Sequence, residues 1–515
     1  MSETTQIKDT LKNCSRYVWV LIAVGALLRI VSFFYSANSG GDAGGRVRTT
    51  AQWVQSPKWK IVFGNYLPGH FWLIAALNVL CHNVLLAGRC LSLVLGIASI
   101  VVVWRLARVL YGARSAMLSV AVFSFFTLHI GYSTTSSSEV PYLFFTLMAI
   151  LLFYLATSNE DASTWYLALS GISLSVAEAI RYEAWIIFAA LGMSLVAWVL
   201  FQPAQRWYDW RQIRKVAVFG VTAGAWPAFM MSYSWRTFGD PLYLVTQNHS
   251  RVAWFLAEHP KPMIAQLAVF PAVLLISLSP IAFLSALYGL YRSFSSWPTA
   301  SFAAVTLFFG AIQFYQILTH GLLANARYSI SIGALLAVAA GFGFDKLMAG
   351  WTASRSRMAQ VFLILFLCGN AALVLAISEI PNRYADKFIS VSPRLRYSSR
   401  IAAVAGYLRG HMGPNDSVLI DNYLAESNEI ADAAGFPLVR TPQLYMEGMK
   451  NYNDGTAREY LQAAHPRLVV YASGGAIRSW LTLPNSCDPD DEVDGIRFHC
   501  AFTSQVYRVY ELTYR

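Results

Sequence analysis

Long apolar runs separated by short polar stretches fill the first three quarters of the chain. They recur from residue 17 to residue 378. A helix needs about 17 to 25 apolar residues to cross about 30 Å of hydrocarbon, and each run is long enough. The pattern predicts a polytopic α-helical membrane protein whose transmembrane module covers residues 1–380. It predicts about eleven spans, at about 17–36, 87–110, 115–132, 141–157, 164–180, 184–201, 216–234, 263–290, 298–319, 329–345 and 358–378.

One more apolar segment, YLPGHFWLIAALNVLCHNVLL at residues 66–86, is also apolar enough to span. If it did, Arg105, Arg108 and Arg114 would move to the outer side and break the pattern of basic residues described next. We therefore interpret it as an interfacial or re-entrant helix within a first outer loop at about 37–86. A spanning helix remains the alternative.

The short basic loops all fall on one side of this arrangement. With a cytoplasmic N-terminus, the inner loops carry Lys8, Lys12, Arg16, Arg105, Arg108, Arg114, Arg206, Arg211, Arg214, Lys215, Arg292, Lys346, Arg355 and Arg357. Cytoplasmic loops are enriched in lysine and arginine, so this orientation is the predicted one. A bacterial inner membrane with the active face in the periplasm is our interpretation of the compartment, and an archaeal or eukaryotic membrane stays open.

An odd number of spans leaves residues 381–515 outside, and this tail reads as a soluble extracytoplasmic α/β domain. Its predicted elements are helices at 396–410, 424–434 and 454–464, strands at 417–421 and 467–472, and an edge strand in the final segment QVYRVYELTYR. Cys487 and Cys500 close a short loop in this tail, as a disulfide would in an oxidising compartment.

Composition agrees with a membrane protein and narrows the function classes. Hydrophobic residues make up 56% of the chain and charged residues 13%, against about 25% charged residues in ordinary soluble domains. The formal charge of +11 has its source in the basic inner loops, so membrane lipids, and not nucleic acid, are the expected partners.

Acidic and basic residues also gather in the predicted outer loops, where the positive-inside bias offers no reason for arginine. They are Asp42, Arg46, Arg48, Lys58 and Lys60 in the first loop, Glu139 in the second, Glu178, Arg181 and Glu183 in the third, Arg236, Asp240, His249 and Arg251 in the fourth, and His320 and Arg327 in the fifth. Charges near membrane depth are costly unless they are paired or face a wet cavity, so these residues are functional candidates.

An anionic ligand in the outer leaflet would explain the arginines. Arginine holds phosphate oxygens in a bidentate fork and keeps its charge. Asp42 lies among glycines in YSANSGGDAGGRVRTTAQWVQ, which predicts a turn that brings the backbone close to the ligand and a carboxylate that serves as base for a hydroxyl or amine acceptor. Together these residues suit a glycosyl transfer in which a lipid phosphate leaves.

The order of these features resembles the GT-C superfamily of lipid-dependent glycosyltransferases. It runs from LLRIVSFF through the loop acid, LPGHFW, RCLSLVLGIASIVVVWRLARVLYGARSAMLSV, the loop with Glu139, RYEAW and FGDPL to ARYSI. The resemblance covers about residues 15 to 380 and is similar in style to the protein O-mannosyltransferases and the aminoarabinose transferases of lipid A. It implies an inverting transferase with a polyprenyl-phosphate-linked sugar donor and a glycan, lipid or protein acceptor.

The resemblance also implies roles for single residues. Asp42 matches the catalytic acid of the first outer loop, and Glu139 matches the assisting acid of the second. Predicted substrate-binding residues are Arg46, Arg181, Arg327, His70, His249 and Tyr328. A second acid does not follow Asp42 and the second loop has no Asp-x-Asp, so a divalent metal is possible only in a variant site, with His70 and His249 as candidate ligands.

Other interpretations remain open. Structural ones are an ion pair of Asp42 with Arg46, a helix-start acid at Glu139, an ion pair of Arg181 with Glu178 or Glu183, and an interfacial anchor at Arg327 beside Tyr328. A transporter or flippase of lipid-linked glycans is the alternative function, although the sequence shows no inverted halves. A non-catalytic membrane scaffold is a third.

Overall fold

The structure of the chain is a computed structural model in which the following residues are described: 3–38, 41–57, 63, 66–157, 164–201, 210–258, 260, 262–378, 396–413, 416–421, 426–435, 461–462, 465–472, 491–493, 495–504 and 506–515. Lys58, Lys60 and Cys487 lie outside these residues, as does most of the helix predicted at 454–464.

Sixteen described α-helices precede residue 380. They are α1 Glu3–Tyr35, α2 Gly41–Gln55, α3 Gly69–Cys81, α4 Val84–Tyr111, α5 Ala113–Ser124, α6 Thr127–Tyr132, α7 Glu139–Thr157, α8 Thr164–Ile180, α9 Glu183–Phe201, α10 Trp210–Phe238, α11 Tyr243–Glu258, α12 Met263–Leu278, α13 Pro280–Arg292, α14 Trp297–Leu318, α15 Ser329–Leu347 and α16 Ala353–Ser378.

Eight described helical segments are long and apolar enough to cross a membrane. A ninth span results if α12 and α13, which meet at 109°, count as one broken span. The other two of the eleven predicted spans begin at α5 and at α8, which are apolar but have only 12 and 17 residues. The polytopic helical class is therefore confirmed. The two spans predicted at 115–132 and 164–180 stay predictions.

Glycines let the central helices pack closely. A Cβ on Gly289 of α13 would lie 2.1 Å from the carbonyl oxygen of Ala339 on α15, and one on Gly341 would lie 2.4 Å from the carbonyl oxygen of Ser115 on α5. Small residues at helix contacts are typical of membrane bundles, where van der Waals packing replaces the hydrophobic effect between helices. α15 is accordingly buried along nearly all of its length.

The first predicted outer loop contains two helices. The prediction that glycines shape a turn around Asp42 is wrong, because Gly41–Gln55 is helical and Asp42 lies in its first turn. The apolar part of 66–86 forms only the 13-residue α3, about 20 Å long at 1.5 Å per residue. This length is short of a hydrocarbon core of about 30 Å, which favours the interfacial or re-entrant interpretation.

The C-terminal part contains a mixed five-stranded sheet. Its strands are β1 Val418–Ile420, β2 Leu468–Ala472, β3 Asp491–Val493, β4 Ile496–Ser504 and β5 Tyr507–Tyr514, in the order β1-β2-β5-β4-β3. β1 and β2 are parallel and the other neighbours antiparallel. Helices α17 Ser399–His411 and α18 Ser427–Ala434 complete the described part of this α/β domain.

The final strand corrects one prediction. β5 is an inner strand, not an edge strand, because β2 pairs with one side of it and β4 with the other. Its alternating pattern arises from the two faces of the sheet, and alternation alone does not distinguish an edge from the middle. Cys500, on β4, is disulfide-bonded, as the sequence predicts, although its predicted partner Cys487 is not described.

A polar cluster as the candidate active site

Asp42 lies in the first turn of α2 and faces residues that are distant in sequence. One carboxylate oxygen, Oδ2, forms an ion pair with Nη1 of Arg327. The other, Oδ1, accepts a hydrogen bond of 3.0 Å from the Tyr66 hydroxyl. An acid in the first turn of a helix is also stabilised by the helix dipole. The predicted ion pair of Asp42 with Arg46 does not form, since Arg327 takes that place.

Arg327 is presented by a short 3-10 turn, Ala326–Tyr328, that is capped by the Asn325 side chain. Its Nη2 donates a hydrogen bond of 2.9 Å to the Tyr328 hydroxyl. The Arg181 guanidinium lies over the same Tyr328 ring, 5.3 Å from its centroid. Tyr328 therefore joins the Asp42–Arg327 pair to a second group of charges.

That second group is centred on Arg181, in the break between α8 and α9. Its guanidinium lies 2.6 Å from Oε1 of Glu139 and 2.6 Å from Oε1 of Glu183. Burial lowers the pKa of Arg181, but the two carboxylates outweigh burial and hold the pKa well above its usual value. The second oxygen of Glu139, Oε2, is buried and has no hydrogen-bond partner among the described residues.

Arg46 lies one helical turn after Asp42 and is almost fully buried. Its guanidinium stacks over Tyr66 at 4.4 Å and Phe71 at 5.5 Å, and Nη1 lies 3.5 Å from Nδ1 of His70. It forms no ion pair among the described residues, and its buried Nε has no partner there. Burial lowers the pKa of Arg46, and an anion beside it would act in the opposite direction and stabilise the charged form.

His70 is buried in the first turn of α3. Burial and then the charges of Arg46 and Arg181 lower its pKa well below the usual value, so the imidazole is neutral. Nη1 of Arg46 can only donate, so its contact with Nδ1 favours the tautomer that carries the proton on Nε2. Nε2 has no partner among the described residues. His70 can therefore donate one hydrogen bond to a ligand.

Seven of the eight predicted site residues thus lie in one connected cluster: Asp42, Arg46, His70, Glu139, Arg181, Arg327 and Tyr328. The eighth, His249, is exposed and lies beside Gly321, where an added Cβ would come within 2.8 Å of its ring. It makes no hydrogen bond or ion pair with the cluster in the described part of the chain.

Two cluster residues were given no place in the predicted site. Tyr66 contacts both Asp42 and Arg46, and Glu183 completes the clamp around Arg181. Glu183 was recognisable only as an ion-pair partner two residues from Arg181, and a tyrosine before an apolar segment reads as an interface anchor.

The structure does not assemble a protein-only metal site within the residues it describes. Groups of three or more His, Cys, Asp or Glu side chains able to hold a metal ion do not occur there. His70 and His249, the candidate metal ligands, have separate surroundings. Three arginines and three acids instead give the cluster balanced charge, with Arg46 as the guanidinium that lacks a carboxylate partner.

A protein-family comparison matches part of the chain. Residues 66–233, about a third of the chain, match the family described as dolichyl-phosphate-mannose-protein mannosyltransferase. The matched segment contains Tyr66, His70, Glu139 and Arg181, but neither Asp42 nor Arg327. No curated protein sequence matches the chain.

Solved structures extend the likeness over nearly the whole chain. ArnT from Cupriavidus metallidurans in the apo state has 14% identity and a TM-score of 0.64 over 96% of this chain and 98% of its own. The same protein bound to undecaprenyl phosphate has 13% identity and a TM-score of 0.63, again over 96% of this chain and 98% of its own. The oligosaccharyltransferase AglB from Archaeoglobus fulgidus, in complex with an inhibitory peptide and a dolichol-phosphate, has 13% identity and a TM-score of 0.51. This match covers 89% of this chain and 69% of the AglB chain.

These comparisons confirm the predicted resemblance. The chain has the fold of the GT-C glycosyltransferases: a multi-span helical membrane module followed by a C-terminal region with a small sheet. At these low identities the likeness concerns the fold, so the donor, the acceptor and the residue roles require a separate argument.

Proposed function

We propose that this chain is an inverting membrane glycosyltransferase that moves a sugar from a polyprenyl-phosphate donor to an acceptor on the extracytoplasmic face. Asp42 is the base, and the neighbouring arginines hold the donor phosphate. The observation that carries this proposal is the convergence of Asp42 with Arg327 and the unpaired Arg46 in one polar cluster, built from loops that are distant in the sequence.

Arg46 is the principal phosphate ligand in this proposal. It is a buried guanidinium with no carboxylate contact, so a bound anion would compensate its charge. Arg327 supplies a second guanidinium, which is shared with Asp42. The two polyprenyl phosphates bound in the ArnT and AglB structures support a lipid phosphate as the anion, with undecaprenyl or dolichyl carriers as candidates.

The chemistry assigned to Asp42 is proton removal from the acceptor. The acceptor oxygen or nitrogen attacks the anomeric carbon and the new glycosidic bond forms. The bond from that carbon to the phosphate oxygen breaks, and the prenyl phosphate leaves with both electrons of that bond. The acceptor's proton moves to the Asp42 carboxylate, whose orientation is fixed by Arg327 and Tyr66. One displacement inverts the anomeric carbon.

Glu139 takes the assisting role in this scheme. One oxygen orients Arg181, and the buried second oxygen, Oε2, is available to accept a hydrogen bond from a sugar hydroxyl. Its place at the start of α7 also satisfies the helix dipole, so the functional and structural interpretations are compatible. The acceptor is a protein hydroxyl, a glycan or a lipid head group.

Sugar transfer by the purified full chain in detergent tests the proposal. Radiolabelled mannosyl polyprenyl phosphate is the first donor to use, in view of the matched family, with a panel of other sugars behind it. Wild-type protein should release prenyl phosphate and label an acceptor. Asp42→Asn should lower turnover by about 10²- to 10⁴-fold without changing the melting temperature.

Asp240→Asn is the matched control. Asp240 is another acid of a predicted outer loop, but its carboxylate accepts a hydrogen bond from the Leu242 backbone nitrogen and lies outside the cluster. This variant should turn over like the wild type. Full turnover by Asp42→Asn would show the assigned mechanism to be wrong, and movement of intact lipid-linked glycan across vesicles without bond cleavage would favour the flippase alternative.

A further inference from the structure

The helix that carries Asp42 is covered by a helix of the soluble domain. Gly44 of α2 faces Asn428 of α18 so closely that a Cβ on Gly44 would lie 2.6 Å from the Asn428 Cβ and 3.4 Å from Oδ2 of Asp432. The neighbouring Gly45 has only one such contact, with the Asn428 amide nitrogen at 3.6 Å. The first of these two glycines is therefore required for close approach and the second is not.

Polar contacts surround this glycine. The Asn428 side-chain oxygen accepts a hydrogen bond of 3.3 Å from Nη1 of Arg48, one turn further along α2. Asn428 and Arg48 are both nearly fully buried. Asn428 therefore contacts α2 at both Gly44 and Arg48, which fixes the register of α18 along α2.

Asn38 connects the same interface to the second outer loop. Its side-chain nitrogen donates a hydrogen bond of 3.1 Å to Oδ2 of Asp432. Its side-chain oxygen accepts from the backbone nitrogen of Ser136 at 2.8 Å. The Ser136 hydroxyl in turn donates to the Ala43 carbonyl at 3.0 Å, next to Asp42. The loop that leads to Glu139 is thus bonded directly to the helix that carries Asp42, and Asn38 links this loop to Asp432 of α18.

We propose that α18 is a positioning element of the active site, and that Asn428 and Asp432 set the place of Asp42 through Gly44 and Asn38. This inference rests on the function proposed above and deepens it. Asn428 and Asp432 act on α2 and not on the substrate. The soluble domain is then part of the catalytic apparatus, because a shift of α2 along α18 would move Asp42 relative to Arg327.

Two neighbouring glycines give a matched test in the full-length protein. Gly44→Ala places a methyl group 2.6 Å from Asn428 and should displace the first turn of α2. A displacement of about 1 Å can cost about 10²-fold in rate, so turnover per folded molecule should fall at least about tenfold. Gly45→Ala makes the same chemical change on the same helix without the close contact, and should stay within about twofold of the wild type.

A second substitution should restore the first. Asn428→Gly removes the Cβ that Gly44→Ala would strike and leaves the backbone carbon of residue 428 at 3.4 Å, an ordinary contact. The double variant should turn over faster than Gly44→Ala and at least as fast as Asn428→Gly alone, which has itself lost the hydrogen bond from Arg48. Alanine is the better helix former, so a loss in Gly44→Ala cannot be attributed to helix propensity.

Hydrogen exchange of the α2 amides provides a readout that does not depend on activity. Gly44→Ala should lower protection across residues 41–55 and Gly45→Ala should not, while the double variant should return to the protection of Asn428→Gly alone. If Gly44→Ala turns over and exchanges like Gly45→Ala while Asp42→Asn is inactive, the positioning role is refuted and the proposed function stands. If the wild type transfers no sugar from any donor, the proposed function fails, while exchange still reports whether α18 holds α2.

Discussion

Two buried arginine sites in this chain have opposite surroundings. Arg29, in α1, is fully buried and donates to the carbonyl oxygens of Gly25, Phe123 and Ser124 at 2.8 to 3.2 Å. It also contacts Nδ1 of His129 at 2.8 Å. All of these acceptors are neutral and belong to the protein. In the polar cluster the guanidiniums face carboxylates and aromatic rings, and Arg46 has no carboxylate contact among the described residues.

This difference separates a structural charge from one available to a ligand. Arg29 caps the end of α5. Its Nη1 donates to the Ser124 carbonyl, and its Nη2 donates to the Phe123 carbonyl, which also accepts from the Phe126 backbone nitrogen. Its donors are directed at the protein, so no ligand is needed. The Asp42–Arg327 pair keeps 34% and 21% of its side-chain surfaces exposed, and Arg46 keeps a buried donor without a partner. Only the cluster can gain from binding an anion.

Removing Arg29 should produce the larger effect on stability. Arg29→Leu leaves the buried Ser124 carbonyl oxygen without its donor and removes one of the donors to Phe123, and an unsatisfied buried acceptor costs about 1–3 kcal/mol. We expect a loss of about 1–3 kcal/mol in the free energy of unfolding, seen as a lower melting temperature in detergent. Turnover per folded molecule should not change. Arg105→Leu, at an exposed arginine that lies over Trp104, is the control and should be nearly neutral.

Changing Arg46 should produce the reverse pattern. Arg46→Gln removes one charge-assisted contact to phosphate, about 1.5–3 kcal/mol, and should raise the KM for the lipid-linked donor by about 10- to 100-fold. The melting temperature should stay equal or rise, because a buried charge without a carboxylate is lost. Arg46→Lys keeps the charge without the fork and should lie between the two. A donor KM unchanged in both variants would remove Arg46 from the phosphate site.

The smallest expected effect is a dependence of α18 docking on pH. Burial raises the pKa of Asp432 to about 6, while the hydrogen bond from Asn38 and the charges of Arg48 and Arg89 act in the opposite direction. Tyr397 and, on its own helix, Glu429 also lie near. For an acid with a raised pKa, the stabilisation is complete below the unfolded value of 3.8 and is lost as pH rises through about 6.

Exchange of the α2 amides, corrected for intrinsic rates, should therefore show weaker protection at pH 7.5 than at pH 5. Asp432→Asn should remove most of this dependence. The effect is small because the Asp432 side chain is only partly buried and two arginines oppose the shift. Protection that instead rises with pH would mean that the carboxylate of Asp432, and not its protonated form, favours docking.

Much of the fold could be predicted from hydropathy because membrane crossing is a local property. About 17 to 25 apolar residues identify a span without knowledge of its neighbours, and the polytopic class and the final α/β domain follow from that pattern. The predicted edge strand failed for the opposite reason. Whether β5 is an inner or an edge strand depends on its pairing with β4, and the alternation of β5 does not encode that pairing.

The candidate site divides in the same way. Charged residues just outside apolar runs identified Asp42, Glu139 and Arg327 as candidates because exposed and buried charge differ in cost. Their pairing was not predictable, since Asp42 and Arg327 are 285 positions apart and nearby Arg46 was the sequence-local choice. His249, chosen by the same criterion, lies outside the cluster, because a loop charge does not specify the direction in which its loop folds.

The sequence by itself determined that the chain crosses a membrane many times, which loops carry charge and which acid stands among glycines. Tertiary structure alone decided what the glycines are for: Gly44 gives room to Asn428, which is nearly 400 positions away. The physical reason is that hydropathy and helix formation depend on neighbours along the chain, whereas van der Waals exclusion and ion pairing depend on neighbours in space.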